Sequence, residues 1–444
     1  MDAKLGALKW RPSIAFGALV LLTSVPVAAQ APAQVQPQAP PQAPPQSPPV
    51  RVTLDQVIAM ALQHNHALQA ARTTILQNQS QEITANLRPN PVLLGDAQFL
   101  PLFQPGESTV DYLANSAQFD LGVSYLFERG MKRQHRLEAA KAQTAVTTSQ
   151  VADNERTLTF NVASQFIAAV LAQADLDFAE QDLASFQQTV TLSEASHDAG
   201  AMSDGDLLKI KLQLLQFQMD VSSARLARVQ ALASLRQLAG YESLPENYQV
   251  VGDLQYQPVP QSEDDLKAMA LRQRPDLHAA QLGVTSAQSQ LSLAQANGKK
   301  DVNAQINYTH VAALSSASLF ASIQLPIFDR NQGEIARTRQ VITQSQELSS
   351  EQASLVLTDV ANAYEAVRAD DQVVQLYQSG YLKQAQDSLD ISQYGYQRGA
   401  STLLDFLDAQ RSYRAIELAY RQSLATYMVA LEQLRQAVAT RSLP

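Results

Sequence analysis

Gly200-Ala201-Met202-Ser203-Asp204-Gly205-Asp206-Leu207-Leu208 returns later in the chain as Gly399-Ala400-Ser401-Thr402-Leu403-Leu404-Asp405-Phe406-Leu407. Each copy reads as the turn of a helical hairpin. Glycine suits the left-handed residue that ends one helix, and Ser203 or Thr402 suits the N-cap of the next. Further matches keep the same order on either side. Ala59-Met60-Ala61-Leu62 recurs as Ala268-Met269-Ala270-Leu271, and Leu68-x-Ala70-Ala71 as Leu277-x-Ala279-Ala280. Phe127-Glu128-Arg129 recurs as Phe328-Asp329-Arg330, and Leu235-Arg236-Gln237 as Leu434-Arg435-Gln436. The chain is therefore two tandem copies of one plan.

No proline lies between Pro105 and Pro245 or between Pro326 and Pro444, and glycine is absent from 131–199 and 334–379. These stretches are rich in Ala, Gln, Leu, Glu and Arg, all good helix formers. They predict long helices over 130–198 and 204–240 in the first repeat, and over 332–397 and 402–440 in the second. The first would be roughly 100 Å long at ~1.5 Å per residue. A compact domain has no room for such a helix, so a coiled coil or helical tube is expected.

Each repeat also holds two candidate strands, at about 92–100 and 118–127, and at about 301–311 and 318–327. Phe119, Leu121, Val123, Tyr125 and Phe127 alternate with Asp120, Gly122 and Ser124, and Val302, Ala304, Ile306 and Tyr308 with Asn303, Gln305 and Asn307. Leu319, Ala321, Ile323, Leu325 and Ile327 alternate in the same way. On pattern alone this is the period of a sheet half-buried in a soluble domain or of a membrane strand. Strands of about ten residues suit a tilted membrane strand. A membrane sheet must close to pair its backbone, and four strands cannot close a barrel, so chains would have to pool their strands.

The first 29 residues read as a secretory signal peptide, with Lys4, Lys9 and Arg11, an apolar run from Ile14 to Leu22, and Val27-Ala28-Ala29 before the expected cut. Residues 30–50 hold eight prolines and five glutamines from 31 onward and read as a disordered leader. Residues 51–240 form the first repeat, 241–261 a connector and 262–444 the second repeat. No later segment approaches 18 consecutive apolar residues, so no transmembrane helix is expected. The absence of cysteine excludes disulfides and thiolate chemistry, and predicts a mature chain without an N-terminal lipid anchor. A net charge of −9 speaks against a nucleic-acid partner.

The duplicated helix–strand–strand–helix–helix plan, the two Gly-Ala-x-(Ser/Thr)-x-x-Asp turns, Arg274-Pro275-Asp276-Leu277, and Leu325-Pro326-Ile327-Phe328-Asp329-Arg330-Asn331-Gln332-Gly333 together resemble the TolC family of outer-membrane efflux factors. The last run is most similar to its CzcC-like heavy-metal branch. The resemblance implies a fold that is mainly α with a β-barrel membrane part: a homotrimer with a twelve-stranded barrel, four strands from each chain, in outer-membrane lipid and a helical tunnel in the periplasm. Residues 241–261 and the C-terminal end would join an equatorial girdle. The implied partners are a periplasmic adaptor and an inner-membrane resistance–nodulation–division pump. The implied function is passive conduction to the exterior, of heavy-metal cations on the branch assignment, with drug efflux or type I protein secretion as alternatives. A periplasmic coiled-coil scaffold is the rival from another class.

Carried over by motif, Asp206, Asp405 and Asp408 would narrow the periplasmic end of the tunnel, where mutual repulsion should raise some of their pKa values. They also suit ordinary solvated positions near a helix N-terminus. Gly200, Ala201, Ser203, Gly399, Ala400 and Thr402 would form the adaptor-docking turns. The six histidines have no chelate spacing with nearby carboxylates, so no metal site or cofactor is expected. No catalytic motif is present, which points away from an enzyme.

Overall fold

The computed structural model describes residues 49–103, 106, 109–312 and 314–443. The expected signal peptide and residues 30–48 of the leader lie outside these. Val50, expected to end the disordered leader, instead opens strand β1 (Val50–Val52). The first repeat continues through α1 (Leu54–His64), α2 (His66–Ala85), β2 (Val92–Gln98), α3 (Val110–Asn115), β3 (Gln118–Phe127), α4 (Lys132–Asp198) and α5 (Asp204–Ala239). Strand β4 (Tyr248–Val250) lies in the connector and pairs in parallel with β1. The second repeat runs through α6 (Glu263–Gln273), α7 (Pro275–Asn297), β5 (Val302–Val311), β6 (Leu314–Ile323), α8 (Gln332–Leu376), a π-helical turn (Tyr377–Tyr381), α9 (Leu382–Gln397) and α10 (Leu403–Val438).

Two expectations from the second repeat need correction. The helix expected over 332–397 is broken at the π-turn, where Gly380 takes φ +132°, a conformation that no α-helix accommodates. Its counterpart α4 runs 67 residues unbroken. The strand expected at 318–327 lies at 314–323, because Val302 at the start of β5 pairs with Ile323 and so sets where β6 ends. The apolar residues Leu325 and Ile327 continue the alternation beyond the ladder.

Helix α4 holds no run of 18 apolar residues, yet an 18-residue window within it reaches a mean hydropathy of 1.2, enough by length and composition alone for a membrane span. The apolarity has a local use. Val162, Phe166, Ala169 and Val170 of α4 pack against Val57, Ile58 and Ala61 of α1, Leu235 of α5 and Tyr248 of β4. A matching core in the second repeat gathers Leu266, Leu277, Val356, Val360, Tyr427 and Leu434.

These two cores surround two helix splices. At the first, Asn65 is the N-cap of α2: its Oδ1 accepts from the Leu68 N–H at 3.0 Å, while its Nδ2 donates to the Leu238 carbonyl of α5 at 3.0 Å. At the second, Arg274 precedes Pro275, which opens α7 where a missing N–H costs nothing. The Arg274 guanidinium, only 4% exposed, donates to Asp276 at 2.5 and 3.0 Å, to Asp359 at 2.9 Å and to the Ala437 carbonyl of α10 at 3.4 Å. At each splice the residue that precedes one helix also donates to a carbonyl near the C-terminus of another, Asn65 to Leu238 of α5 and Arg274 to Ala437 of α10. Burial opposes the ionised form of Asp276, but hydrogen bonds and charge from Arg274, with Arg156, outweigh it and hold its pKa below the usual range.

The larger sheet is antiparallel in the order β2-β3-β5-β6. Its register places Phe119, Leu121 and Val123 beside His310, Tyr308 and Ile306, and Ile306 beside Leu319, so one face is apolar across the strands. That face is open: Leu93 is 71%, Ile306 62% and Leu319 75% exposed. The outer edges of β2 and β6 carry no partner strand among the described residues.

Helix α5 has two apolar seams. Ile210, Leu214, Phe217, Val221 and Ala224 pack inward. Leu208, Leu212, Leu215, Met219, Leu226 and Val229 follow the same alternation of three and four residues, yet each is 53–62% exposed. The seams are offset by two positions, roughly 200° around a helix, so they lie on nearly opposite sides. A helix built this way expects a neighbour on each flank, as in a wall of helices.

Arg274→Ala should destabilise the protein by about 3–5 kcal/mol, because Asp276 and Asp359 would be left without their buried partner. Thermal unfolding followed by helix content measures this, and a loss below about 1 kcal/mol would contradict the splice role.

Candidate functional site

The two repeated turns close the helical hairpins α4–α5 and α9–α10 in the same way. Gly200 takes φ +74° and Gly399 φ +72°. The Ala201 N–H donates to the Ser196 carbonyl at 2.8 Å, and the Ala400 N–H to the Gly395 carbonyl at 2.7 Å, so each helix end is closed by a backbone wrap. Ser203 Oγ then accepts from the Asp206 N–H, and Thr402 Oγ1 from the Asp405 N–H, both at 3.2 Å. Asp405 returns the bond by accepting from the Thr402 N–H at 3.1 Å, which completes a capping box. No atom stands within 4 Å of where a Cβ on either glycine would be. The glycines therefore serve the backbone angle, and a side chain there would project into open space.

A shared core brings the two hairpins together. Phe186 of α4 stacks on Phe217 of α5 at 4.6 Å, and Tyr396 of α9 on Phe406 of α10 at 5.4 Å. All but Tyr396 are buried, and they join Val190 and Ile210 in one cluster.

The three expected constriction carboxylates lie on α5 and α10 just after these turns. Asp206 pairs with Lys209 at 3.1 Å, and Asp408 with Arg411 at 3.1 Å. Within the chain the pKa of Asp206 is lowered by hydrogen bonds from Lys209 and Ser203, and that of Asp405 by hydrogen bonds from the Thr402 side chain and backbone. Within one chain these hydrogen bonds favour the ionised forms of Asp206 and Asp405; the repulsion expected at the constriction is a matter between chains. Across the first turn, His197 Nε2 lies 2.6 Å from Asp204, and hydrogen bonds to Asp204 and Asp198 raise its pKa.

Two features escaped sequence reasoning. Further along the hairpins, Arg414 of α10 reaches Asp220 of α5 at 2.6 Å and Asp182 of α4 at 2.7 Å, with its guanidinium 4.3 Å from the Phe217 ring centre. The Asp182 contact is a charge pair whose atoms are not aligned for a hydrogen bond. Burial first, then the nearby Asp220 charge, raises the Asp182 pKa against the pull of Arg414. These partners are far apart in sequence, so no local pattern signals them. The second feature is on the polar face of the sheet, where register sets Asp96 of β2 directly opposite Asp120 of β3. Gln98 donates to Asp96 at 2.5 Å, while Gln118, at 2.7 Å, and Thr309 donate to Asp120. Among the strand residues these two are the charged side chains of that face, and the less regular alternation of β2 concealed the pairing. Among the described residues no group of three or more His, Asp or Glu side chains is arranged to hold a metal ion.

Arg414→Ala should cost about 3–5 kcal/mol by leaving Asp182 and Asp220 facing each other in a half-buried site. Asp182→Asn should cost under about 1 kcal/mol, since burial already disfavours that charge. Unfolding of the two variants side by side tests the contrast, and equal losses would contradict it.

The sequence model of the family described as "Outer membrane efflux protein" matches residues 57–241 and 266–440, one match in each repeat. The pyoverdine export outer membrane protein OpmQ of Pseudomonas aeruginosa is 26% identical over 396 residues, covering 84% of this chain and 82% of that protein. The cobalt-zinc-cadmium resistance protein CzcC of Cupriavidus metallidurans is 24% identical over 392 residues, covering 85% of this chain and 88% of its own length. The crystal structure of the open state of the Neisseria gonorrhoeae MtrE outer membrane channel shares the fold, with a TM-score of 0.72 at 20% identity over 87% of this chain and 89% of that one. With both repeats matched and the architecture shared, the chain belongs to the outer membrane efflux protein family, the TolC family that its sequence resembles.

Proposed function

We propose that this outer-membrane efflux protein assembles as a homotrimer and forms the exit duct of a tripartite pump, with heavy-metal cations as its cargo. The observation that carries the assembly is that neither half of the molecule is closed. The sheet leaves β2 and β6 as open edges beneath an exposed apolar face, and α5 leaves a whole seam uncovered. Backbone groups in a bilayer must be paired, so β6 of one copy meets β2 of the next, and the α5 seam meets a neighbouring helix. Three copies supply twelve strands, enough to close a barrel.

A cation cargo is supported by the lining. The polar face of the sheet is charged only by Asp96 and Asp120 among the strand residues, and rings of carboxylates favour cations. Asp206, Asp405 and Asp408 form the periplasmic constriction in this reading. The turns at Gly200-Ala201-Ser203 and Gly399-Ala400-Thr402 dock the periplasmic adaptor, which links the duct to an inner-membrane resistance–nodulation–division pump. The similarity to CzcC supports the metal cargo. The comparable similarity to OpmQ favours a second reading, export of pyoverdine.

Leu215→Asp with Met219→Asp should abolish trimers on unheated gels while leaving helix content intact; persistence of the trimer would remove the α5 seam from the interface. Deleting the gene and complementing it tests the cargo and the tips together. Wild type should restore growth on divalent metals, copper and silver, and sensitivity confined to organic compounds would reject the metal reading. Asp405→Ala with Asp408→Ala should lower cation selectivity in single-channel recordings. Gly200→Arg or Gly399→Arg should keep the trimer but lose resistance, and full resistance would move docking elsewhere.

A further inference from the structure

The basic residues of this acidic chain are gathered at one level. No Lys or Arg occurs in residues 89–128 or 301–329, which hold the strands and their far loops. At the helical ends of the strands the pattern reverses. Arg88 precedes β2, and Arg129, Lys132, Arg133 and Arg136 follow β3. Lys299 and Lys300 precede β5, and Arg330, Arg337 and Arg339 follow β6. These ten cations face five carboxylates in the same segments, Glu128, Glu138, Asp301, Asp329 and Glu334, in a chain whose net charge is −9.

Part of the excess is neutralised within the fold. Lys132 pairs with Asp301 at 2.7 Å, Lys300 with Asp329 at 3.2 Å, Arg337 with Glu334 at 2.7 Å, and Arg136 with Glu128. Arg88, Arg133, Lys299 and Arg330 have no carboxylate within ion-pairing distance among the described residues. Two of these, Arg88 and Arg133, line one cavity of about 410 Å³, together with Tyr125, Phe127 and Met131, and with Glu128 and Lys132, which are already paired to Arg136 and Asp301. Its walls thus set two guanidinium groups without carboxylate partners beside an apolar side, with the Glu128 charge already taken by Arg136. Phe127 is 53% and Met131 69% exposed, and both continue the open apolar band of the sheet. At the same level Leu325, Ile327 and Phe328 are 61–90% exposed.

We propose that this cavity binds an anionic phospholipid from the membrane leaflet on the helical side, with its phosphodiester held by Arg88 and Arg133. The acyl chains run along Phe127 and Met131 onto the apolar band. Charge complementarity selects the occupant. Guanidinium forks match phosphate oxygens, and basic side chains at a bilayer surface attract anionic lipid. A soluble anion would leave Phe127 and Met131 uncovered, whereas a lipid covers both walls. The zwitterionic headgroup of a neutral lipid would bring its own cation against an already positive level. The site rests on the reading of the sheet as membrane-embedded, and it adds a specific lipid to that reading.

The test uses the full-length trimer reconstituted into nanodiscs of phosphatidylcholine with and without phosphatidylglycerol, then released for native mass spectrometry. Phosphatidylglycerol should be retained in preference to phosphatidylcholine. Arg88→Gln with Arg133→Gln should lower that retention by about tenfold, and Arg225→Gln with Arg368→Gln, an equal loss of charge on the distal helices, should leave it unchanged. If the glutamine pair fails to assemble, Arg88→Lys with Arg133→Lys keeps the charge and should lose only part of the preference. Equal retention of both lipids, wild-type retention in the glutamine pair, or displacement by an equal concentration of soluble glycerol phosphate would overturn the site while leaving the duct intact. Failure of the trimer to enter nanodiscs at all would overturn the membrane reading and the site with it.

Discussion

Unpaired backbone at the edges of β2 and β6 is the constraint on which the rest of the molecule turns. Four antiparallel strands with an exposed apolar face are tolerable in water only as an aggregation hazard, and in lipid only if the ladder continues. The chain is thus built to be incomplete. The helical part repeats the condition in another form. Helix α5 carries one seam for its own protomer and a second, on nearly the opposite flank, for something outside it. Both parts leave a side that calls for a lateral neighbour.

Duplication makes the wall long without making every helix long. Among the described helices α4 is the longest, 67 residues in one piece. Elsewhere, shorter helices are tied together by Asn65 and Arg274, each of which precedes one helix and donates to a terminal carbonyl of another. The two solutions differ in strength. Asn65 uses one neutral amide, whereas Arg274 uses a buried charge held by two carboxylates and a carbonyl. The repeats diverge again at the π-turn, which interrupts the second hairpin where α4 of the first runs unbroken. The two hairpins meet through the shared core around Phe186, Phe217 and Phe406 and through Arg414, which reaches from α10 to Asp182 of α4 and Asp220 of α5.

Charge is sorted along the molecule. The strands carry acids on their polar face, their helical ends carry the excess of cations, and the tips carry carboxylates moderated by Lys209 and Arg411. Pairing decides what each group can do. Asp405, held by its own cap, stays ionised readily, while Asp182 is pushed the other way by burial. Counting acids along the chain would treat these two as equals.

The repeats, the hairpin turns and the period-two strands were legible in the sequence because each is written within a few residues: a glycine followed by a hydroxyl cap, or an apolar residue at every second position. Family membership follows from those features together. The end of β6 was not legible, because serines at 315, 316, 318 and 322 blur its two faces and Leu325 and Ile327 extend the rhythm; pairing with β5 decided it. The break at Gly380 was hidden because a single glycine in a long helical run is ordinarily tolerated. The Arg414 clamp, the Asp96–Asp120 pair and the two splices joined residues from distant parts of the chain, so only the tertiary structure decided them. Local chemistry specifies elements and their ends, whereas the partners of a charge or an edge depend on which distant segment the fold sets beside it.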